Sequence, residues 1–182
     1  MKTIIKKSIL LRMISDTYIA IRTVGFWDTS KLYISNIVDR LLESNSKYDF
    51  FEPLDPRETI PNHPNVGYAT IYVPTRVRPF IKMLNSIDLN KDKTVFVDLG
   101  CGKGRTLIAA EKVGFKKIRG IEFCDKLSSI ALKNTQTYLN QYDLDNNKIE
   151  VINKDMALYK IDPTDNLFYF YNPCDEFILK KV

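Results

Sequence analysis

Histidine is almost missing from this chain: His63 stands alone. Cysteine is scarce as well, limited to Cys101, Cys124 and Cys174 with no C-x-x-C spacing. These scarcities argue against a disulfide framework and leave no ligand pattern for zinc, so no metal is expected. Sparse, unpaired thiols fit a reducing compartment, and the expected location is the cytoplasm. Long hydrophobic runs are absent too. Lys6, Lys7, Arg12 and Asp16 interrupt the apolar N-terminus "MKTIIKKSILLRMISDTYIAIRTVGF". What remains is too short for a spanning helix and lacks the apolar core of a signal peptide. No internal repeat or low-complexity tract is visible.

What is present is ordinary for a folded domain. The 182 residues are 45% hydrophobic and 27% charged, enough to bury a real core. A net charge of +5 and a pI near 9.0 mildly favour an anionic partner. No basic tail or stripe concentrates that charge.

The rhythm divides the chain near residue 65. Residues 1–65 are expected to form a helical extension, placed as a cap over the site of the second region. Leu10, Met13, Ile14, Tyr18 and Ile21 recur at helical spacing, the pattern of an amphipathic helix that packs on protein or rests on a membrane surface. A second helix is expected in "DTSKLYISNIVDRLLESN", with Thr29 or Ser30 as its N-cap. "FFEPLDPRETIPNHPN" then holds four prolines and reads as a restricted loop. Residues 66–182 alternate strand and helix. Strands are expected over 94–99, 117–122, 148–153 and 167–171, and helices over 104–113 and 126–141. An earlier helix should carry Pro79 in its first turn. Apolar runs such as "VFVDL", "IRGIEF" and "LFYFY", separated by helices, predict an α/β, doubly wound, mainly parallel Rossmann-like sheet.

At the end of the first strand stands "FVDLGCGKGR". Gly100, Gly102 and Gly104 let the backbone press against a ligand, and the helix that follows offers free N–H groups. The spacing is G-x-G-x-G, not the G-x-G-x-x-G of a dinucleotide loop. Asp98, just before the loop, would repel a pyrophosphate but would pair with an ammonium group. A ligand with an amino group, a carboxylate and a ribose fits these features, and S-adenosylmethionine is such a ligand. Glu122 ends the second strand about twenty residues on, placed to accept from ribose hydroxyls in either S-adenosylmethionine or a nicotinamide cofactor. Asp155 either receives an adenine amino group, with Met156 beside the ring, or caps the turn that follows.

Taken together, "VFVDLGCGKGR", "GIEF", "NKDMAL" and "FYFYNPC" resemble the class I, seven-strand S-adenosylmethionine-dependent methyltransferases over about residues 68–178. The stretch from "YVPTRVRPF" through "DLGCGKGR" is similar to the non-SET histone-lysine methyltransferases and to bacterial and mitochondrial protein-lysine methyltransferases. The resemblance implies S-adenosylmethionine as cofactor. Tyr72 and Thr75 would border it, with Asp98, Gly100, Cys101, Gly102, Gly104, Glu122, Phe123, Asp155, Met156 and Asn172 completing the binding set. It also implies that Asn172 and Pro173, with Tyr171, form the catalytic set and hold an acceptor nitrogen through carbonyl oxygens. Phe170 and Tyr171 would desolvate that amine and lower its pKa.

The acceptor is therefore expected to be an amine, above all a protein lysine. Cys174 and Asp175 stand where nucleic-acid amine methyltransferases continue "NPPY", so nucleic acid is not favoured. Three alternatives stay open: nucleic-acid methylation, a pyrimidine-carbon mechanism with Cys174 as nucleophile, and a non-catalytic cofactor-binding module. Only four strands precede "DEFILKKV". The C-terminal strands of the seven-strand sheet are thus expected to be missing, and a partner chain or second subunit is expected to cover the exposed fourth strand.

Overall fold

The computed structural model describes residues 18, 19, 21–23, 25–31, 34 and 47–182. The chain divides into two compact units, Met1–Asn45 and Ser46–Val182. In the first, residues 18, 19 and 21–23 are helical, and a second helical stretch covers residues 26–31. Thr29 and Ser30 lie inside that stretch and do not cap it. Their hydroxyls donate back to the Gly25 and Phe26 carbonyls at 2.7 and 2.8 Å, the bonding of helix-interior residues. Leu10, Met13 and Ile14 lie outside the described residues.

The second unit is built on four parallel strands in the order β3-β2-β1-β4. They are β1 (Val95–Leu99), β2 (Lys117–Glu122), β3 (Ile149–Asn153) and β4 (Asp165–Tyr169). Among the described residues of this unit, five α-helices accompany them: α1 (Pro56–Thr59), α2 (Val77–Ser86), α3 (Arg105–Val113), α4 (Asp125–Gln141) and α5 (Glu176–Leu179). Pro79 sits in the first turn of α2, where it removes no helical hydrogen bond. No helix among the described residues is long and apolar enough to cross a membrane.

Alternation along β1 separates two cores. Phe96 faces a cluster with Phe80 and Leu84 of α2, Leu107 of α3, and Ala131 and Leu139 of α4. Val97 and Leu99 face the other side, with Ile121, Met156 and Ile178 of α5. The crossovers β1–α3–β2 and β2–α4–β3 thus cover one face. The chain then passes to the far side of β1, and the helix after β4 turns to the opposite face. This is the doubly wound plan, and strand order reverses between β1 and β4, where such sheets bind ligands.

Two boundaries differ from the sequence reading. The sheet unit starts at residue 46, not 66, because Phe50 and Leu54 are buried in its core. Tyr72 also ties that segment down, donating from its amide to the Leu54 carbonyl at 3.0 Å and from its hydroxyl to the Phe50 carbonyl at 2.9 Å. β4 runs over 165–169, two residues earlier than the aromatic run suggested. Its start is fixed by Asp165, whose carboxylate accepts from Arg119 of β2, from the Tyr159 hydroxyl at 2.7 Å and from the Asp162 amide at 3.0 Å. It ends at Tyr169, and Asn172, three residues on, takes a left-handed φ of 48°. Phe170 and Tyr171 therefore leave the sheet and are exposed.

Candidate active site

The site forms where the carboxyl ends of β1, β2 and β4 meet. The loop after β1 turns sharply: the amides of Gly100 and Cys101 both donate to the Ile121 carbonyl, at 2.8 and 3.1 Å. Two glycines are demanded by close approach as well as by positive φ. A Cβ on Gly100 would lie 2.4 Å from the Pro173 Cβ, and one on Gly102 would lie 2.4 Å from the Tyr72 ring. The loop thus admits two side chains of the protein itself, and these wall the cleft above it. Gly104 plays another part, as the N-cap of α3 packed on Ala131 of α4.

Two acids are buried beside this loop. Glu122 accepts from the amide of Gly102 on one oxygen and from that of Cys124 on the other, both at 2.9 Å. Burial pushes its carboxyl up to about 7 against the pull of those N–H groups. Asp98 accepts from the Thr106 hydroxyl, and burial raises it to about 7 as well. A desolvated carboxylate is costly unless a complementary charge or donor arrives. Two such groups at one cleft are a demand for a ligand rich in donors and positive charge.

The cleft encloses about 750 Å³ of non-atom space, part of it open to solvent. It gathers most of the residues named from sequence: Tyr72, Thr75, Asp98, Gly100, Cys101, Gly102, Glu122, Phe123, Met156, Tyr171, Asn172 and Pro173 all line it. Asp155 does not. It borders an adjoining hollow of about 270 Å³, which shares Phe123, Met156 and Pro173 with the main cleft. Its carboxylate caps the turn at Met156–Leu158 through the Ala157 amide at 2.9 Å. The other oxygen accepts from the Asn65 side chain at 2.6 Å. Asp155 thus caps the turn, and each carboxylate oxygen keeps a further lone pair.

The segment after Tyr68 is tied to the corner that follows β4. Ala69 bridges Cys174, the Asp175 amide donates to the Tyr68 carbonyl at 3.1 Å, and the Thr70 hydroxyl donates to the Asn172 carbonyl at 2.6 Å. The Asn172 side-chain amide is exposed and has no hydrogen-bond partner among the described residues. Cys174 lines the smaller hollow instead of the main cleft. Burial pushes its thiol up, helped by the charges of Asp175 and Asp155, and its sulfur lies 3.8 Å from that of Met156. A protonated thiol packed on a thioether is a poor nucleophile, so this geometry does not support the pyrimidine-carbon mechanism.

Sequence reasoning missed Arg105. It is 5% exposed, borders the cleft and is the one cationic side chain among the described residues that line it. Its guanidinium donates to the Thr75 carbonyl at 2.6 Å and sits 4.9 Å from the centre of the Phe51 ring. The available signal was its place directly after the third glycine, at the start of α3. With Arg105 the donor set fits S-adenosylmethionine group by group. There are carboxylates for the ammonium and ribose hydroxyls, a cation for the carboxylate, and Phe123 and Met156 as an apolar bed for adenine.

The family model described as "Histone methylation protein DOT1" matches residues 56–161, more than half of the chain. Among solved structures, the chain is similar to an RNA methyltransferase from Salinibacter ruber in complex with S-adenosyl-L-homocysteine, at 28% identity and a TM-score of 0.45, covering 54% of this chain and 60% of that one. It is similar to a Pyrococcus horikoshii protein described as a putative RNA methyltransferase, at 18% identity and a TM-score of 0.49, covering 70% and 53%. A Methanococcus maripaludis protein described as a putative S-adenosyl-L-methionine-dependent methyltransferase gives 26% identity and a TM-score of 0.42, covering 52% and 41%. The chain spans about half the length of these structures. No curated protein matches it.

Proposed function

The chain belongs to the DOT1 histone methylation family, and from that membership we propose that it transfers a methyl group from S-adenosylmethionine to an amine nitrogen, that of a protein lysine. When bound, the cofactor supplies an electrophilic methyl group on a sulfonium. The residues of the chain bind, orient and dry the reactants. Glu122 accepts from the ribose hydroxyls, Asp98 pairs with the ammonium, and Arg105 meets the carboxylate. Tyr72 and Pro173, pressed on Gly102 and Gly100, keep water from the loop. On the acceptor side, the Asn172 amide oxygen accepts a hydrogen bond from an N–H of the incoming neutral amine and so fixes where its lone pair points. Tyr171, which lines the cleft, offers an aromatic face that lowers the pKa of a lysine docked against it, whereas Phe170 does not line the cleft. Such catalysis is positioning and exclusion of water, with no covalent enzyme intermediate.

The observation that carries this reading is the seating of Pro173 directly on Gly100 of the glycine loop, with the neighbouring Asn172 side-chain amide unpartnered among the described residues. Its test is methyl transfer from isotopically labelled S-adenosylmethionine to a lysine-rich basic protein and, separately, to RNA. Label on a lysine Nε is expected. Asn172→Ala should cut turnover about ten- to a hundredfold while leaving cofactor affinity nearly unchanged, the pattern of a contact made chiefly in the transition state. Cys174→Ala should be nearly silent. Label confined to RNA, or activity lost with Cys174→Ala and kept with Asn172→Ala, would overturn the lysine assignment.

A further inference from the structure

Lys103 lies between the second and third glycines of the cofactor loop, yet it does not line the cleft. Its side chain is 1% exposed and ends 2.6 Å from an Asp49 carboxylate oxygen, with its ammonium 5.5 Å from the centre of the Tyr72 ring. The Asp49 backbone is locked from the other side by Asn134 of α4. The Asp49 amide donates to the Asn134 side-chain oxygen, and the Asn134 side-chain amide donates to the Asp49 carbonyl, both at 3.1 Å. That same amide donates to the Lys103 carbonyl at 3.0 Å. Asn134 is itself buried. One side chain therefore holds both ends of the Asp49–Lys103 pair.

Only the Lys103 end of this ion pair is buried, while Asp49 is 45% exposed, so solvent screens the attraction and the Lys103 ammonium still bears a desolvation cost. What the pair does is fix an arrangement. Tyr72 stands on the Phe50 and Leu54 carbonyls, within the segment that Asp49 begins, and its ring covers Gly102. Gly102 in turn donates the amide that holds Glu122. Resting on the reading of the cleft as an S-adenosylmethionine site, we infer that Lys103 and Asp49 are positioning residues. They clasp residues 48–54 onto the glycine loop, setting the Tyr72 wall and the Gly102–Glu122 contact together, so that cofactor affinity depends on a salt bridge that never touches the cofactor. Coupling of this kind is reciprocal: the bound cofactor tightens the clasp.

The test uses the full chain and S-adenosylhomocysteine, titrated by calorimetry. Asp49 is 45% exposed, so Asp49→Asn is expected to fold. It should weaken binding about three- to tenfold, and Asp49→Glu should restore it. Lys103→Met should weaken binding to a similar extent, and adding Asp49→Asn to it should cost little more. Hydrogen exchange should show slower exchange at residues 48–54 when the ligand is bound. Wild-type affinity in Asp49→Asn, no recovery in Asp49→Glu, or losses that simply add would each overturn the clasp. Failure of the unaltered chain to bind would instead overturn the cofactor reading, and it is seen before any substitution is made.

Discussion

Burial holds the carboxyl groups of Asp98 and Glu122 near 7, against roughly 4 in an unfolded chain. Between those values the folded protein keeps protons that the unfolded chain has released. Their contribution to stability is therefore full below about pH 4, falls as pH rises toward 7, and is flat above it. Without ligand the protein should unfold at a lower temperature at pH 8 than at pH 5.5. Cofactor binding should run the other way, because ammonium and hydroxyl donors favour the ionised acids. Affinity for S-adenosylhomocysteine should weaken as pH drops from 8 to 5.5, with protons released on binding. Calorimetry in buffers of different ionisation enthalpy measures this, and an affinity flat across that range contradicts the roles given to the two acids. At the same scale, Gly102→Ala would drive a Cβ into the Tyr72 ring at a φ of 55°. It should reduce ligand binding far more than a surface Gly→Ala change, as a titration would show.

Among the elements, β4 is the one whose place depends on side chains more than on strand propensity. The Asp165 carboxylate gathers Arg119, Tyr159 and the Asp162 amide, and the Asn166 side-chain oxygen stands in for a backbone acceptor toward the Val95 amide at 2.9 Å. Asp165→Ala strands these donors and should cost about 2 kcal/mol, read from urea unfolding. The same feature explains what was legible. β1, β2, β3, α3 and α4 follow from apolar runs and helical spacing that act locally. The aromatic run "LFYFY" gives no hint that Asp165 starts the strand early or that Asn172 turns out of it. At the site, Asp98, Glu122 and the glycines could be read because their spacing is set within one βαβ unit. Arg105 was hidden because its role comes from Thr75, thirty residues away. Asp155 was half legible: its capping is local, while its partner Asn65 is ninety residues distant.

For the whole molecule, the division after residue 45 matters more than the change of rhythm near 65. The segment 47–65 carries Asp49, Phe50 and Leu54, which the glycine loop and the core require, and no local pattern announces contacts with residues 103 and 134. Deleting residues 1–45 should leave S-adenosylhomocysteine binding intact, whereas deleting residues 1–60 also removes the buried Phe50 and should cost about 3–5 kcal/mol of stability. Thermal unfolding of the two truncated chains, each with and without ligand, separates these outcomes. Whether Asp98, the glycine loop and Glu122 form an S-adenosylmethionine site is decided by calorimetric titration of the full chain with S-adenosylhomocysteine and with NAD, repeated on Glu122→Ala. Binding of S-adenosylhomocysteine and not NAD is expected, with a loss of about 1.5–3 kcal/mol for each charge-assisted bond that Glu122→Ala removes. Binding of NAD alone, or unchanged affinity in a folded Glu122→Ala protein, would contradict it.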